Sequence, residues 1–396
     1  MFLMRILIIS TSYPPYVSGV ATSTANLASQ LSKKHQITVI SSTPNKIAQN
    51  KSLNKNLNLY LLPGISVKQK NNLIITYPHF KKLKTILKSF QPQIIHLQDF
   101  SPTSLSAINL AREYQIPIII THHFTAEFIV KSLISAKKLS FRLSQAKTSK
   151  QFIYRLVNLI YNRCQLVTVP NSALIPYFHQ AKLKTPIISI PNGINTKQFS
   201  KKKSLNQILT KYQIKQTKII LFVGRLEIDK SLDILINAFK PINQQNPDTA
   251  LVFVGEGKKK PKLKKLVSQH SLNHSVYFLG KINNQNYQLS HIYNSAYLFA
   301  NPSIIENQSV SFLEAFTAGL PIIASYSPIQ TNLIKPNHNG LIVEPNNPAA
   351  FSTAIQKLLS DTKLYKTISQ NNKKTSQQYN IKKTSQQYLK AYQSLL

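Results

Sequence analysis

The residues best suited to chemistry lie in the second half of the chain. Gly224 and Arg225 directly follow an apolar β-branched run, and Lys230, five residues after Arg225, is predicted to open a helix. Fixed cations at a strand end, together with backbone N–H groups at a helix start, can neutralise a diphosphate. Glu306 is predicted in a loop after a strand, and Glu314 eight residues later inside a helix over 310–318. These two carboxylates would accept hydrogen bonds from ligand hydroxyls at two depths of one pocket.

Several familiar catalytic signatures are missing from the sequence. It contains no G-x-x-x-x-G-K-[ST] loop, no G-x-G-x-x-G fingerprint, no H-E-x-x-H pair and no D-x-D. ATPase, dehydrogenase and metallohydrolase functions are therefore disfavoured, as is a metal-dependent nucleotide-sugar enzyme built on a single sheet. Cys164 is the sole cysteine, which excludes a disulfide framework and a cysteine-built zinc site. We expect no metal in the site.

The elements that must position these residues form a regular alternation. Short apolar runs, typical of strands buried on both faces, alternate with stretches of helical spacing. In the first half these runs cover residues 5–10, 37–40, 94–97, 116–121 and 166–169, and in the second half 218–223, 250–254, 276–279, 298–300, 321–324 and 340–343. Strand and helix in alternation predict an α/β fold with parallel, doubly wound sheets.

The domain organisation follows from length and from one turn sequence. With 396 residues, the chain exceeds what a single core usually supports. The turn Pro191-Asn192-Gly193 separates the two alternating halves. We predict one Rossmann-like domain over 1–190, a second over 191–379, and a final helix over 380–396. Ligands of such sheets bind at the carboxyl ends of the strands.

Charge is the most unusual property of the composition. The chain has 49 Lys and Arg against 12 Asp and Glu, a formal charge of +37. Such a charge favours acidic partners, although drift in base composition towards Lys, Asn and Ile explains it equally well. The stretch 131–163 lies within a segment without any acid and interleaves basic with apolar residues. It predicts either a basic amphipathic surface for anionic membranes or an ordinary helix pair with one face in the core. The residues predicted to face the membrane are Lys131, Lys137, Lys138, Arg142 and Lys147.

One long run of residues in the second half of the chain resembles the signature of a known family. NPSIIENQSVSFLEAFTAGLPIIAS resembles the E-x7-E signature of the retaining glycosyltransferases of family 4. ISTSYPPYVSGVATST, HLQDFSPTSLSA, THHFTAEF, IPNGIN, FVGRLEIDKSLDILINAF and LVFVGEG are also similar to segments of that family, so the resemblance covers nearly the whole chain. It implies the GT-B fold, in which two doubly wound Rossmann-like domains face each other across a cleft. It also implies that the final helix crosses back onto the first domain.

The resemblance implies a role for individual residues. Arg225 and Lys230 match the pair that holds the donor diphosphate, Glu314 the carboxylate on the ribose hydroxyls, and Glu306 the residue on the transferred sugar. His123 matches the histidine that acts at the reaction centre, with His122 as the alternative if the register shifts by one. The remaining donor-binding residues implied in this way are Gly19, Gly224, Asn307, Gln308, Ser309 and Val310.

Three positions depart from the family pattern. Ser309 stands where many members have glycine, which puts donor choice in doubt. Asp229-Lys230-Ser231 replaces the usual Glu-Lys-Gly, so the cation is kept while the turn is altered. In the first loop, Ser18-Gly19 replaces a double glycine.

The implied activity is hexosyl transfer from a nucleotide sugar, with UDP-hexose as the expected donor, and without metal or other cofactor. Retention would arise from attack on the face that the phosphate leaves. The layout of THHFTAEF followed by the basic stretch is similar to that of membrane-surface enzymes. It favours a lipid acceptor such as diacylglycerol and a peripheral location at the cytoplasmic face of the membrane.

Two other functions remain open at this point. The first is family 4 transfer in the assembly of cell-envelope polysaccharide or oligosaccharide. The second is a non-catalytic basic scaffold that binds membranes or nucleic acid. The excess of Lys over Arg and the lack of a nucleic-acid module argue against a nucleic-acid partner.

Overall fold

The computed structural model describes residues 3–16, 18–67, 73–124, 126, 147–199, 205–282 and 288–396. The chain divides into two compact units. The N-terminal unit comprises Met1–Gly193 together with Ile381–Leu396, and the C-terminal unit comprises Ile194–Asn380.

The N-terminal unit is built on one sheet. Its strands are β1 (Arg5–Ile9), β2 (Gln36–Thr43), β3 (Gln49–Asn54), β4 (Leu57–Val67), β5 (Leu73–Thr76), β6 (Ile94–Leu97), β7 (Ile118–Thr121), β8 (Leu166–Val169) and β9 (Ile187–Ser189). They lie in the order β3-β4-β2-β1-β6-β7-β8-β9, with β5 paired to β4. Pairing is parallel except where β3 and β5 meet β4. Its helices before residue 193 are α1 (Gly19–Leu31), α2 (Phe80–Phe90), α3 (Pro102–Glu113), α4 (Lys147–Tyr161) and α5 (Ile175–Gln180).

The C-terminal unit repeats this architecture in a simpler form. Its strands are β10 (Lys218–Val223), β11 (Thr249–Val254), β12 (Val276–Gly280), β13 (Leu298–Asn301), β14 (Ile322–Ser325) and β15 (Gly340–Val343), in the all-parallel order β12-β11-β10-β13-β14-β15. Its helices are α6 (Thr196–Phe199), α7 (Leu205–Tyr212), α8 (Leu232–Gln245), α9 (Lys260–Gln269), α10 (Gln288–Ser295), α11 (Val310–Ala318), α12 (Gln330–Leu333), α13 (Pro348–Ser360) and α14 (Thr362–Ser376).

Both sheets are covered on their two faces, as the continuous apolar strands predict. In the C-terminal unit one core layer contains Phe222, Phe239 and Phe253, and another contains Phe299 and Phe312. A parallel sheet between two helical layers is the doubly wound architecture. The predicted fold class is therefore confirmed.

Strand order reverses at one place in each sheet. The reversal lies between β1 and β6 in the N-terminal unit and between β10 and β13 in the C-terminal unit. At such a point the crossover helices leave on opposite faces, so a crevice opens at the carboxyl ends of the strands. The residues that follow β10 and β13 are Gly224-Arg225 and Pro302-Ser303.

The last helix, α15 (Ile381–Gln393), belongs to the N-terminal unit. It packs against α1, and its Tyr388, Leu389 and Tyr392 are buried in the same core cluster as Leu27 of that helix. The start of α15 also lies directly against Gly193, since a Cβ on that glycine would be only 2.6 Å from Cδ1 of Ile381.

The sequence did not predict β3, β4 or β5. β3 is polar and mostly exposed, so it lacks the apolar run of a buried strand. β4 contains Pro63 and Gly64, which usually mark turns, and it pairs antiparallel with β3 over residues 57–61 and with β5 over residues 64–67. These strands extend the edge of the sheet farthest from β6.

Candidate active site

The loop after β10 is held by its neighbours through backbone contacts. The N–H of Leu226 donates to the carbonyl of Glu256 over 2.9 Å, and the carbonyl of Leu226 accepts from the N–H of Lys259 over 2.9 Å. Gly255, at φ +139°, and Gly257 allow this approach, since a Cβ on either would overlap a carbonyl oxygen of residue 224 or 226. Arg225 therefore leaves the sheet from a fixed backbone position.

Four charged side chains meet at the crevice of the C-terminal unit. Nζ of Lys230 lies 2.6 Å from Oε1 of Glu306 and 3.7 Å from Oδ2 of Asp229. Nη2 of Arg225 donates to Oδ2 of Asp229 over 3.1 Å. The side chains of Lys230 and Glu306 are only 12% and 13% exposed, whereas that of Arg225 is 34% exposed. The structure thus brings together the predicted pair of cations and the first predicted carboxylate.

Hydrogen bonds fix the loop that carries Glu306. The amide of Asn301 donates to Oε1 of Glu306 over 3.4 Å, and the N–H of Ser303 donates to Oδ1 of Asn301 over 3.0 Å. The Ser303 hydroxyl donates to the backbone carbonyl of Asp229 over 3.2 Å, which ties the loop to the segment bearing Lys230. The buried amide of Gln330 donates to the carbonyl of Ser303 over 2.8 Å. Glu306 is therefore held at its backbone as well as at its carboxylate.

Lys230 does not open a helix, and this prediction was wrong. It ends a 3₁₀ turn, Ile228–Lys230, and α8 begins at Leu232. Between them Ser231 has φ 49° and ψ 40°, the left-handed region that glycine favours. This residue links the turn to the helix, at a position where the family that the sequence resembles more often has glycine.

The charge environment keeps Lys230 protonated. Burial alone would lower the pKa of its amine, but the adjacent carboxylates of Glu306 and Asp229 outweigh that effect and raise the pKa above its ordinary value, against the opposing charge of Arg225. Two cations and two carboxylates balance formally in this cluster. A ligand anion that reached Lys230 would therefore compete with Glu306 for it.

Glu314 lies deeper than Glu306. It sits within α11 and is 6% exposed. Burial raises the pKa of its carboxyl group to about 7, and a hydrogen bond with the hydroxyl of Tyr293 opposes that rise. The two carboxylates therefore occupy a shallow and a deep position, one paired with a cation and one with a phenol.

The start of α11 carries the remaining predicted donor-binding residues. Ser309 is the N-cap, but its side chain contacts the hydroxyl of Ser311 at 2.8 Å instead of capping the helix. Gln308 is buried and Asn307 is partly buried, and Val310 is the first helical residue. The backbone N–H groups in the first turn of a helix favour anionic ligands.

In the N-terminal unit, the two adjacent histidines have different surroundings. His122 is buried, with Nδ1 2.7 Å from the hydroxyl of Tyr161 and its ring edge-on to Phe178. His123 is partly exposed, and its Nε2 lies 2.7 Å from Oε1 of Gln98. Burial lowers the pKa of His123 to about 4, an effect that the charge of Asp99 opposes. Of the two histidines, His123 is the more exposed.

Asp99 organises the loop between β6 and α3. Its Oδ2 accepts from the N–H of Thr11 over 2.6 Å and from the Thr11 hydroxyl over 2.8 Å. Its Oδ1 accepts from the N–H of Ser101 and the hydroxyl of Ser104.

Gly19, the predicted phosphate-facing glycine, is the exposed first residue of α1 and follows the N-cap Ser18.

The predicted membrane-facing set falls largely outside the described residues. Lys131, Lys137, Lys138 and Arg142 are not among them, and of Lys147 only the backbone, at the start of α4, is described. The remainder of α4 has two distinct faces. One buries Ile153, Tyr154, Val157 and Tyr161, and the other exposes Phe152 by 60%, Leu156 by 44% and Leu159 by 68%, beside exposed Arg155.

The described residues contain no group of three or more His, Cys, Asp or Glu side chains that could hold a metal ion. They also contain no helix long and apolar enough to cross a membrane.

Sequence reasoning missed the residues that support the site. Asn301, Ser303 and Gln330 hold Glu306, and Gln98 contacts His123, but none of these belongs to a charged pair or a familiar motif. Only their position in the predicted fold could have identified them. Gln98 directly follows β6, Asn301 ends β13 and Ser303 comes two residues later, and both strands lie where strand order reverses.

Comparison with known proteins defines the class. Residues 185–375 match the family model "Glycosyl transferases group 1", and residues 17–198 match "Glycosyltransferase Family 4". The structure resembles sucrose-phosphate synthase from Thermosynechococcus elongatus, with a TM-score of 0.81 at 20% identity over 98% of both chains. It also resembles Anabaena HepE, solved in complex with UDP-glucose, with a TM-score of 0.75 at 18% identity over 99% of this chain and 100% of that one. The protein is a glycosyltransferase of the GT-B fold.

The chain is also similar to several curated glycosyltransferases. An alpha-monoglucosyldiacylglycerol synthase of Streptococcus pneumoniae is 29% identical over 84% of this chain and 73% of its own length. The synthase of the same name from Acholeplasma laidlawii is 26% identical over 87% and 85% respectively. An uncharacterised glycosyltransferase of Methanocaldococcus jannaschii is 28% identical over 93% and 92%. The chain belongs to family 4 of the glycosyltransferases, and its second half is the group 1 domain of that family.

Proposed function

We propose that this glycosyltransferase moves a hexose from a UDP-sugar to a lipid acceptor such as diacylglycerol at a membrane surface, without metal and with retention of anomeric configuration. The observation that carries the donor half of the proposal is the cluster of Arg225, Lys230, Asp229 and Glu306 at the crevice of the C-terminal unit. Similarity to two monoglucosyldiacylglycerol synthases supports the acceptor half.

Arg225 and Lys230 are proposed to hold the diphosphate. Arg225 is about one-third exposed and contacts a single carboxylate, so it can reach a ligand at little cost. Lys230 is buried, and a diphosphate would take the place of Glu306 as its partner. As the bond to the sugar breaks, negative charge grows on the departing phosphate oxygen, and preorganised cations stabilise that charge. HepE is similar in fold and was solved in complex with UDP-glucose, which favours UDP as the nucleotide here.

Glu306, once released by Lys230, is proposed to accept hydrogen bonds from hydroxyls of the transferred sugar. Its loop stays anchored through Ser303, so the carboxylate can change partner without the backbone moving. Glu314 is assigned to the ribose hydroxyls, whose hydrogen bonds would favour its ionised form. His123 is assigned to the transferred sugar, and the backbone N–H groups of Asn307, Gln308, Ser309 and Val310, with Gly19 and Gly224, to the donor.

Retention is proposed to follow from attack on the face that the phosphate leaves, with the departing oxygen taking the acceptor's proton. A double displacement needs a carboxylate nucleophile beneath the anomeric carbon, as in retaining glycosidases. Glu306 is assigned here to hydroxyls of the transferred sugar, and Glu314 is buried beside Tyr293 and assigned to the ribose, so the proposal leaves neither carboxylate beneath the anomeric carbon. The protein would contribute position and electrostatics.

The exposed face of α4 supports action at a membrane. Phe152, Leu156 and Leu159 recur at a spacing of four and three residues, which places them along one side of the helix. Arg155 lies on the same exposed side, and basic residues next to apolar ones fit an anionic lipid surface. The binding would place the protein at the cytoplasmic face of the membrane.

The experiment is a panel of nucleotide sugars assayed with anionic liposomes that contain diacylglycerol, with liposome-free and EDTA-containing reactions in parallel. Lipid-extractable product from a UDP-hexose, insensitive to EDTA and reduced by high salt, is the expected result. Donor hydrolysis without lipid product would overturn the acceptor and favour envelope polysaccharide assembly, to be tested with oligosaccharide acceptors. No donor turnover, with liposome binding intact, would favour a non-catalytic scaffold.

Glu306→Gln supplies the variant and Glu113→Gln the matched control. Glu113 carries the same functional group and also pairs with a lysine, Lys84, but on the exposed surface of the N-terminal unit. Transfer should fall in the first and stay unchanged in the second. Equal losses would mean that Glu306 acts through general charge or stability.

A further inference from the structure

A continuous hydrogen-bond chain runs through the N-terminal unit from the C-terminal helix to His123. The hydroxyl of Tyr392 lies 2.7 Å from Nδ1 of His96. Nε2 of His96 lies 2.8 Å from the amide nitrogen of Gln98, and Oε1 of Gln98 lies 2.7 Å from Nε2 of His123. Tyr392, His96 and Gln98 are at most 2% exposed, so water does not compete for these bonds. Residues 392 and 123 are far apart in the sequence, yet only two side chains separate them here.

The chemistry of an amide couples the two histidines. A glutamine side chain has one end that only accepts and one end that only donates. Its carbonyl accepts a hydrogen bond from Nε2–H of His123. Its NH₂ group donates to Nε2 of His96 over 2.8 Å, whereas Nδ1 of the same ring is farther away, at 3.3 Å. His123 must then carry its proton on Nε2, and His96 must carry its proton on Nδ1. From there His96 donates to the hydroxyl oxygen of Tyr392, so all donors in the chain point the same way.

Both imidazole rings are neutral near pH 7, so each carries a single N–H proton, on either Nδ1 or Nε2. Burial lowers the pKa of His96 to about 3, with the neighbouring His123 adding to the effect. Burial also lowers the pKa of His123 to about 4. A neutral imidazole has one donor and one acceptor nitrogen, and the partner of one nitrogen decides the role of the other.

We propose that Gln98 is a positioning residue that fixes the proton of His123 on Nε2, and that Tyr392 sets this direction through His96. His123 then presents Nδ1 as a hydrogen-bond acceptor. An acceptor suits a sugar hydroxyl and repels a phosphate oxygen. The consequence for transfer rests on the proposed function, in which His123 contacts the transferred sugar, whereas the proton position itself does not.

Thr121 and Tyr388 make the neighbouring polar contacts and provide the control. The hydroxyl of Thr121 lies 2.7 Å from Nε2 of His96, the same nitrogen that Gln98 contacts, and it contacts the hydroxyl of Tyr388 at 3.1 Å. Tyr388 is on the same helix as Tyr392 and is also buried, but it does not contact either end of the Gln98 amide among the hydrogen bonds of the described residues. Tyr388→Phe therefore removes a similar hydroxyl without entering the chain.

The test is two-bond ¹H–¹⁵N NMR of the full chain labelled at histidine, near pH 7.5, with signals assigned by comparison with His96→Gln and His123→Gln. In the unmodified protein we expect a protonated Nε2 on His123 and a protonated Nδ1 on His96. Gln98→Glu has acceptors at both ends, so His96 should move its proton to Nε2 while His123 keeps its own on Nε2. Tyr392→Phe should increase the Nδ1–H form of His123, and Tyr388→Phe should not.

Three results would overturn the proposal. These are a proton on Nδ1 of His123 in the unmodified protein, an unchanged His96 in folded Gln98→Glu, and an identical response to Tyr392→Phe and Tyr388→Phe. If Gln98→Glu does not fold, the unmodified spectrum and the tyrosine pair still decide. In transfer assays, Gln98→Leu should lower kcat by about 3- to 10-fold, the effect of one neutral hydrogen bond. Expected spectra without transfer from any nucleotide sugar would leave the inference standing and refute the proposed function.

Discussion

The ion pair between Lys230 and Glu306 allows a quantitative prediction through a double-mutant cycle. Lys230→Met keeps the aliphatic stem and removes the charge, which leaves Glu306 buried without its cation. Removing one partner of a buried pair costs about 3–5 kcal/mol. Because both side chains keep about one-eighth of their exposure, we expect a loss near the lower end, about 3 kcal/mol.

Glu306→Gln should cost less. Its amide oxygen can still accept from Lys230, and Asp229 remains 3.7 Å from the amine, so we expect a loss of about 1–2 kcal/mol. The double variant leaves no orphaned charge at Glu306 and should lose about 2–3 kcal/mol, not the sum of the two. The expected coupling is therefore about 2 kcal/mol, within the range for residues in direct contact.

Urea unfolding of the full chain measures these values. The sequence contains no tryptophan, so Phe278→Trp, introduced into every variant, reports on the C-terminal unit alone. Phe278 is partly buried and stacked on Phe253 with ring centroids 5.1 Å apart, so its fluorescence should change on unfolding. Additive losses would refute the ion pair as a source of stability. UDP should stabilise Glu306→Gln at least as much as the parent, because phosphate then competes for Lys230 with a neutral amide and not with the Glu306 carboxylate, and it should barely stabilise Lys230→Met.

Three further predictions concern the turn, the core and the surface. Ser231→Gly should stabilise the C-terminal unit by about 0.5–1 kcal/mol, because it removes the left-handed strain and no side-chain cap is lost. Burial lowers the pKa of His96 and of His122 to about 3, so unfolding favours protonation and stability should fall as pH drops from 6.5 towards 3. At pH 5.5 the two together should cost about 3 kcal/mol relative to pH 7.5. Leu156→Asp with Leu159→Asp should weaken sedimentation with anionic liposomes at least tenfold while leaving the unfolding midpoint unchanged.

Each of these has its own control. Ser268→Gly removes a serine hydroxyl within α9 and should destabilise, so two variants that shift in the same direction would contradict the strain argument. For the pH series, His122→Phe should flatten the acid limb, and an unchanged limb would contradict burial as its cause. Lys264→Glu with Lys265→Glu alters charge on the lysine-rich α9, which exposes no large apolar side chain. If it weakens liposome binding as much as the α4 variant, general charge and not the α4 face governs binding.

The sequence predicted the fold well because its parallel strands are buried on both faces and read as uninterrupted apolar runs. β3 was missed because its exposed edge position imposes no apolar pattern. For the site, charged residues at strand ends were identifiable, since a cation next to a glycine in such a place has few structural uses. Their partners were not. Whether Glu306 contacts Lys230, and whether Glu314 contacts Tyr293, depends on side-chain directions that a spacing of eight residues does not determine.

The left-handed Ser231 shows the same limit locally. We predicted that the helix opens at Lys230, and a serine at a helix boundary commonly caps the helix through its side chain. In the structure Ser231 lies at the boundary between the 3₁₀ turn and α8. Its side chain does not cap the helix, and its contribution is a left-handed backbone conformation. The Gln98 chain could not be predicted, because Tyr392 reaches His96 only through the packing of α15 in the N-terminal unit, which no spacing in the sequence indicates.

We propose that the protein transfers a hexose from a nucleotide sugar to a membrane lipid with retention, using the Lys230 and Glu306 site. The most direct test is to incubate the purified full chain with UDP-[¹³C]glucose and diacylglycerol liposomes and to determine the anomeric configuration of the extracted lipid by NMR. We predict an α-linked glucosyl lipid from the α-linked donor, and loss of that product with Glu306→Gln but not with Glu113→Gln. A β-linked product, or equal product from Glu306→Gln, would contradict the claim.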